Sequence, residues 1–423
     1  MCGIVGYVGD RQAAEFLLDG LSKLEYRGYD SAGIAVYDNG SVRVEKSVGR
    51  LSALRDKIKG NVPVGNIGIG HTRWATHGRP SDVNAHPHVD CHNDFAIVHN
   101  GIIENYLSLK EELIEKGHVF KSETDTEVVV HLLEDVYQGD FVAAVREVLR
   151  RIEGSYALAF MSRKHPDMLV CTKQDNPLII GLGEGENYIA SDIPAIISRT
   201  RRTYIMGDGE LAIVRKDSVE ITDRKGEPVA KKVFEVTWNA EAAEKGGYEH
   251  FMLKEIHEQP KAVRDTMSQR ITSDKKSISF EELSWTPEYL NSFNKIYIVA
   301  CGTAYHAGLV GKYYIEKMAR VMVEVDVASE FRYRDPIVDD KTLLIVVSQS
   351  GETSDTLAAL KESKRRGAKT LAVTNVVGSS IAREADQVVY TWAGPEIAVA
   401  STKAYTTQLV LFFMLALYMA EIK

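Results

Sequence analysis

Leu343-Leu344-Ile345-Val346-Val347-Ser348-Gln349-Ser350-Gly351-Glu352-Thr353 decides the fold of the second half of this 423-residue chain. Five apolar residues in a row read as a strand buried on both faces, and the turn behind them carries glycine and hydroxyls before a helix begins. Ile296-Tyr297-Ile298-Val299-Ala300 runs in the same way into Cys301-Gly302-Thr303, and Thr370-Leu371-Ala372-Val373-Thr374 into Asn375. Strand, turn and helix in repetition predict a doubly wound parallel sheet, whose ligands sit at the carboxyl ends of its strands. In the turn from Ser348 to Thr353, three hydroxyls and the Gln349 amide meet helix N–H groups where the helix dipole favours an anion. One hydroxyl suffices for a helix cap, so the excess points to a phosphate cradle built without a lysine.

The first half is read from its beginning. Met1 precedes Cys2, a residue small enough for the methionine to be removed, which leaves a thiol and a free α-amino group on one residue. Such an amine has a pKa of roughly 7.7–8.0 and can take the thiol proton directly or through one water. Short alternating runs, among them Phe95 to His99 and Tyr156 to Met161, are interleaved with helical stretches such as Arg11 to Tyr26 and Thr126 to Tyr137. Asn239 to Gly247 is polar and glycine-bearing and reads as a linker, and His250 to Pro260 begins a helical connector.

Four further segments stand with Cys2: Glu25 to Gly33, His71-Thr72-Arg73-Trp74-Ala75-Thr76-His77-Gly78, His99-Asn100-Gly101-Ile102-Ile103-Glu104-Asn105, and Ser122-Glu123-Thr124-Asp125-Thr126-Glu127. Together they resemble the glutamine amidotransferases whose N-terminal cysteine is the nucleophile. The resemblance implies the N-terminal-nucleophile hydrolase fold, an αββα sandwich, over residues 1–238. It assigns the oxyanion donors to the Asn100 side chain and the Gly101 backbone. Arg73 suits the α-carboxylate of glutamine, because guanidinium pairs with carboxylate through two parallel bonds, and Asp125 suits the α-ammonium. Trp74, Thr76 and His77 are expected in a loop that folds over glutamine, with Arg27 and His86 as further contacts.

Residues 286–423 resemble the sugar isomerase (SIS) domain, with 239–285 as linker and connecting helix. Cys301, Gly302, Thr303, Ser348, Gln349, Ser350 and Thr353 would hold the sugar phosphate, and Val399 and Ser401, in the stretch Glu396 to Thr406, would line the sugar pocket. The pairing of the two halves is similar to the glutamine:fructose-6-phosphate amidotransferase family, which implies transfer of glutamine nitrogen to fructose 6-phosphate to give glucosamine 6-phosphate and glutamate. Two departures go with it. Ala304 stands where many relatives carry serine, and the family's second sugar isomerase half is absent from these 423 residues. The ring-opening histidine, the proton-moving glutamate and the imine-forming lysine are therefore expected outside this chain, and glutamine hydrolysis is the activity expected of it alone. Amidophosphoribosyltransferase and asparagine synthetase share the first half, but their pyrophosphate motifs are missing after Lys295. A non-catalytic sugar-phosphate sensor is the remaining alternative, and the intact Cys2, Arg73, Asn100 and Asp125 set argues against it.

A net charge of −8 argues against a nucleic-acid partner. Four cysteines without paired spacing read as reduced and cytosolic. Leu409 to Ala420 is almost wholly apolar yet shorter than the ~20 residues of a spanning helix, so a buried or partner-facing helix is expected rather than a membrane contact. A homodimer through the sugar isomerase domain would cover it. His86, His88 and His92 share a proline-bearing loop with no helical register, so no metal is expected, and the chemistry asks for no redox or nucleotide cofactor.

Overall fold

The computed structural model describes residues 2–25, 28–74, 77–236, 248–268, 270–271 and 277–423. The linker expected over Asn239 to Gly247 lies outside them. The chain divides into two compact units, Met1–Ala240 and Glu241–Lys423.

In the first unit, an eight-stranded sheet runs in the order Phe234–Glu235, Arg202–Ile205, Ile179–Leu182, Asn187–Ala190, Gly3–Val8, Ile67–Arg73, Ser31–Asp38, Ser41–Val48. A six-stranded sheet follows the order Val219–Thr222, Leu211–Arg215, His165–Gln174, Gly154–Ser162, Phe95–Ile103, His88–Val89. Side-chain alternation explains why these strands are apolar on both sides. Ile4 and Val8 face a core shared with Val98, Ala157 and Leu169 of the other sheet. Val5 and Tyr7 face the outer core with Phe16, Leu17 and Leu21 of helix Ala13–Leu24. Phe95 and Ile97 likewise point away from the inter-sheet core, toward helices Glu127–Val136 and Phe141–Arg151. The result is the expected sandwich of two sheets between helical layers.

In the second unit, a five-stranded parallel sheet has the order Val323–Val327, Lys295–Ala300, Thr342–Ser348, Lys369–Thr374, Gln387–Tyr390. Leu343, Ile345 and Val347 pack on the face covered by helices Gly302–Met318 and Lys403–Ile422. Leu344 and Val346 pack on the face covered by Leu357 and Leu360 of helix Ser354–Arg365. The order places the first strand between the second and the third, so the sheet reverses direction of growth between Lys295–Ala300 and Thr342–Ser348. Crevices at such a reversal are where this sheet type binds ligands.

Helix Phe251–Ser268 runs through Pro260 and packs on helix Lys403–Ile422. Lys403, buried at the start of that last helix, places its Nζ 2.5 Å from Glu258 Oε2. The tail corrects an expectation. Its helix spans 20 residues and is long and apolar enough to cross a membrane by length and composition, because it begins at Lys403, six residues before the apolar run. Its Leu411, Phe412, Leu415 and Met419 are nevertheless committed to the core of the second unit. Phe412→Ala is expected to lower the stability of this unit by about 3–5 kcal/mol, read as a shift of the urea midpoint followed by the fluorescence of Trp285.

Candidate functional site

Strand pairing delivers Cys2 to its neighbours. Gly3 sits opposite Thr72 in the ladder, which brings the end of strand Ile67–Arg73 alongside the chain start. The backbone N–H of Trp74 donates to Cys2 Sγ at 3.2 Å. Ser191 fixes Ile4, two residues on, its hydroxyl accepting from Ile4 N–H at 3.0 Å while its own N–H donates to Ile4 O at 3.0 Å. Burial pushes the Cys2 thiol up, and the Trp74 N–H opposes that by favouring the thiolate.

Asn100 reaches the same residue from the other sheet, its Nδ2 donating to Cys2 O at 3.1 Å. Its orientation is set by His71. His71 Nε2 lies 2.9 Å from His99 O and 3.0 Å from Asn100 Oδ1. Both partners are acceptors, so Nε2 carries the proton and Nδ1, buried without a partner, carries none. Burial drives the His71 pKa down to about 3, so the ring is neutral at any physiological pH. Gly101, next in the strand, has φ +122°, and a Cβ there would stand 2.0 Å from Ser155 O, so only glycine fits.

Arg73 is buried, with its Nη2 donating to His77 O and, at 2.9 Å, to Gly78 O. Among the described residues its Nη1 has no hydrogen-bond partner. Asp125, also buried, accepts from Ile103 N–H at 2.8 Å through Oδ2, while Oδ1 faces His77 Nδ1 at 3.8 Å. The loop that carries Asp125 is held by Glu127, which accepts from Lys121 N–H (2.8 Å), Ser122 N–H (2.6 Å) and Ser122 Oγ (2.7 Å). Against the cost of burial, the facing His131 ring and the bonds from Ser122 and Lys121 bring the Glu127 carboxyl down to about 2.

The other expected residues fall in different places. Trp74 is 43% exposed, and its ring packs edge-on against Tyr29 rather than over the thiol. His86 is buried beneath His71, ring centroids 4.3 Å apart, with Nε2 on Thr126 Oγ1 at 2.9 Å. Arg27 and Thr76 lie outside the described residues. Thr126, which sequence reasoning did not single out, bridges His86 and His99, the latter at 2.8 Å. Its place beside Asp125 in the motif was the available signal.

In the second unit the two turns lie at one edge of the sheet, since Ala300 pairs with Val347 and Ser348 with Thr374. Ser348 Oγ and Thr353 Oγ1 are 2.9 Å apart, and Ser348 Oγ accepts from Gly351 N–H at 3.0 Å. Two of the three hydroxyls thus shape the turn. Ser350 Oγ accepts from Glu352 N–H at 3.2 Å, which leaves its proton to donate. Gly351 has φ +66° and lies against Ser379, where a Cβ would meet Oγ at 2.0 Å. Thr353 precedes helix Ser354–Arg365 and Cys301 precedes helix Gly302–Met318, and neither side chain caps its helix. Ser401 is bonded to Glu396 at 2.9 Å, and Val399 is 66% exposed.

Residues 71–198 match the glutamine amidotransferase domain family, and residues 289–418 match the SIS domain family. The glutamine–fructose-6-phosphate aminotransferase (isomerizing) of Caldanaerobacter subterraneus subsp. tengcongensis is 62% identical over 417 residues, covering 99% of this chain and 68% of that protein. The enzyme of the same name from Clostridium tetani is 58% identical over 423 residues, covering all of this chain and 69% of its own length. A solved structure titled as the allosteric regulatory enzyme of purine biosynthesis is 18% identical with a TM-score of 0.50, covering 88% of this chain and 80% of that one, a likeness of fold alone.

His71 is expected to stay neutral and protonated on Nε2 from pH 8 down to about pH 4, read by 15N NMR of histidine-labelled protein. Its folded pKa of about 3 lies below the ordinary 6.5. The stability it contributes is therefore complete above about pH 6.5 and is lost as the pH falls toward 3, because the unfolded chain takes up the proton first.

Proposed function

This chain belongs to the glutamine–fructose-6-phosphate aminotransferase (isomerizing) family, and we propose that its first unit releases ammonia from glutamine for amination of fructose 6-phosphate bound by its second. The observation that carries the reading is the convergence on Cys2 of the Trp74 N–H at Sγ and the Asn100 amide at the carbonyl. Products of the complete reaction are glucosamine 6-phosphate and glutamate.

In the glutaminase half-reaction, the α-amino group exposed by loss of Met1 takes the thiol proton as Cys2 Sγ bonds to the side-chain carbonyl carbon of glutamine. The electron pair of the C=O bond moves onto oxygen, and the Asn100 amide and the Gly101 N–H are the donors assigned to that charge. Donors held in place before the reaction are worth most, because nothing need reorganise as charge develops. The neutral His71 serves by orientation: it accepts no proton from the reaction and keeps the Asn100 amide nitrogen turned toward Cys2. Collapse of the intermediate breaks the C–N bond, the ammonium proton returns to the leaving nitrogen, and ammonia departs from a thioester. Water then hydrolyses the thioester to glutamate and the free thiol.

Substrate placement rests on the two buried charges. Arg73 Nη1, without a partner among the described residues, is assigned to the α-carboxylate, and Asp125 Oδ1, which faces the His77 ring at 3.8 Å, to the α-ammonium. Arg73 has a second duty in the loop Trp74 to Gly78, since Nη2 grips two carbonyls there. We assign Thr76, Arg27 and Trp74 to closure of that loop, and His86 to the support of His71 rather than to glutamine. For the second unit, the uncapped N-termini of helices Ser354–Arg365 and Gly302–Met318 offer N–H groups to the sugar phosphate, with Ser348, Gln349, Ser350, Thr353 and Thr303 around them. Val399 and Ser401 are assigned to the sugar. The glutaminase domain is placed at 1–238 and the sugar isomerase domain at 286–423.

A homodimer through the second unit is part of the proposal, supported by Tyr313 at 70% and Phe413 at 42% exposure on helices Gly302–Met318 and Lys403–Ile422. So is a reducing, cytosolic location, supported by Cys2, Cys91, Cys171 and Cys301 being free thiols.

The test is glutamate release by the chain with Met1 removed. Cys2→Ala is expected to abolish it, and Asn100→Ala to lower kcat by about 10²–10³-fold with KM little changed. Glutamate formation retained by folded Cys2→Ala would overturn the reading. For the second unit, calorimetric binding of fructose 6-phosphate is expected to weaken at least several-fold in Ser350→Ala and Thr353→Val, and wild-type affinity retained by both variants would remove the phosphate assignment.

A further inference from the structure

Away from Cys2, on the far side of helix Glu127–Val136, four side chains from three stretches of the chain turn toward one point. Cys91 follows strand His88–Val89, His118 follows helix Tyr106–Glu115, and His131 and Glu134 lie three residues apart in helix Glu127–Val136, on one face. Their ligand atoms all lie within 4.8 Å of one another. Cys91 Sγ is 3.6 Å from His131 Nδ1 and 3.9 Å from His118 Nδ1. Glu134 Oε2 is 2.9 Å from His118 Nδ1 and 3.3 Å from His131 Nδ1.

We propose that Cys91, His118, His131 and Glu134 form a binding site for one zinc ion. Donors about 2.0–2.3 Å from a tetrahedral zinc stand roughly 3.3–3.8 Å from each other. The four separations above, 2.9 to 3.9 Å, straddle that range and no pair exceeds 4.8 Å, so the ion is seated by shifts of at most about an ångström. Hydrogen bonds alone explain the cluster less well. Glu134 Oε2 faces both imidazole Nδ1 atoms and also accepts from Cys91 N–H at 3.3 Å, so three nitrogens crowd one oxygen, while the thiol faces two ring nitrogens. A thiolate, two imidazoles and a carboxylate are the mixed sulfur, nitrogen and oxygen set that a borderline cation such as zinc accepts.

The outer nitrogens of both histidines face carboxylates, at distances just beyond a hydrogen bond. Histidines that bind metal through one nitrogen usually present the other to a carboxylate. His131 Nε2 lies 3.6 Å from Glu127 Oε1, and His118 Nε2 lies 3.7 Å from Asp135 Oδ1. Glu134 Oε1, the oxygen turned away from the cluster, lies 2.5 Å from His92 Nδ1. The Val119 N–H donates to Cys91 Sγ at 3.4 Å, the bond a thiolate would receive. Exposure is graded, with the His131 side chain at 1% and those of His118 and Glu134 at 11% and 13%, so the ion has a route in from solvent. Four protein ligands close the coordination, which makes the role structural. The bound ion would tie the loop at Cys91 and the segment at His118 to the helix whose first residue, Glu127, holds the Asp125 loop. The sequence expectation of no metal had weighed His86, His88 and His92, none of which is among these four.

Full-length protein incubated with zinc sulfate and desalted into metal-free buffer is expected to keep about one zinc per chain by mass spectrometry of the metal. Cys91→Ala is expected to keep none, while Cys2→Ala, which removes the other candidate thiol, keeps as much as wild type. Asp135→Asn, which leaves all four ligands, is expected to weaken zinc binding about 10–100-fold. Should Cys91→Ala fail to fold, cobalt substitution of the wild type and of Cys2→Ala decides: both must show the visible bands of tetrahedral cobalt with a thiolate charge-transfer band. Zinc held equally by folded Cys91→Ala, no zinc held by the wild type, or a cobalt spectrum without the thiolate band would overturn the proposal.

Discussion

The seating of strand Gly3–Val8 inside the eight-stranded sheet is the constraint on which the first unit depends. The strand pairs with Ile67–Arg73 on one side and Asn187–Ala190 on the other, and its side chains are buried on both faces. A chain terminus is ordinarily the loosest part of a domain. Here Gly3 is held in the ladder opposite Thr72 and the strand is held on its other side from Val5 onward, so the thiol of Cys2 has a fixed address. Everything the site requires of Cys2 is then supplied by what those ladders bring alongside: the Trp74 N–H from the neighbouring strand's end and Asn100 from the sheet beneath.

Around this point the protein buries an unusual quantity of neutral imidazole. His71, His86, His88 and His99 are all buried, and burial lowers the pKa of each. A buried imidazolium without a counter-charge costs far more than a neutral ring, so these residues act as fixed hydrogen-bonding shapes. His71 is the clearest case, because two acceptors at one nitrogen dictate its tautomer and through it the direction of the Asn100 amide. On the other side of Asp125 the same economy of contacts appears as charge. Glu127 organises the loop before it, and its Oε1 faces His131, a member of the cluster at Cys91.

Much of this was legible in the chain. The apolar runs of the second unit, each with a hydroxyl- or glycine-bearing turn, foretold the parallel sheet because strands buried on both faces have no polar side to show. Cys2 announced itself by position, and Arg73, Asn100, Gly101 and Asp125 by the motifs that hold them. The last helix was underestimated, since its apolar face was taken to begin at Leu409 whereas burial begins at Lys403, whose charge is met by Glu258 from a helix 145 residues earlier. The pairing of Ser348 with Thr353 was equally hidden: a count of hydroxyls says nothing about which of them face one another.

By itself, the sequence determined the class of each sheet and the residue types, Cys2 among them, from which the proposed sites are drawn. Local pattern and residue chemistry suffice for those, because periodicity and turn composition act over a few residues. Only the tertiary structure decided that His86 supports His71 from behind, that Trp74 contributes its backbone to the thiol while its ring lies on Tyr29, and that Cys91, His118, His131 and Glu134 meet. Those facts depend on strand register and helix rotation between segments tens of residues apart. Such long-range geometry is set by the burial of whole elements, and no short stretch of sequence carries it.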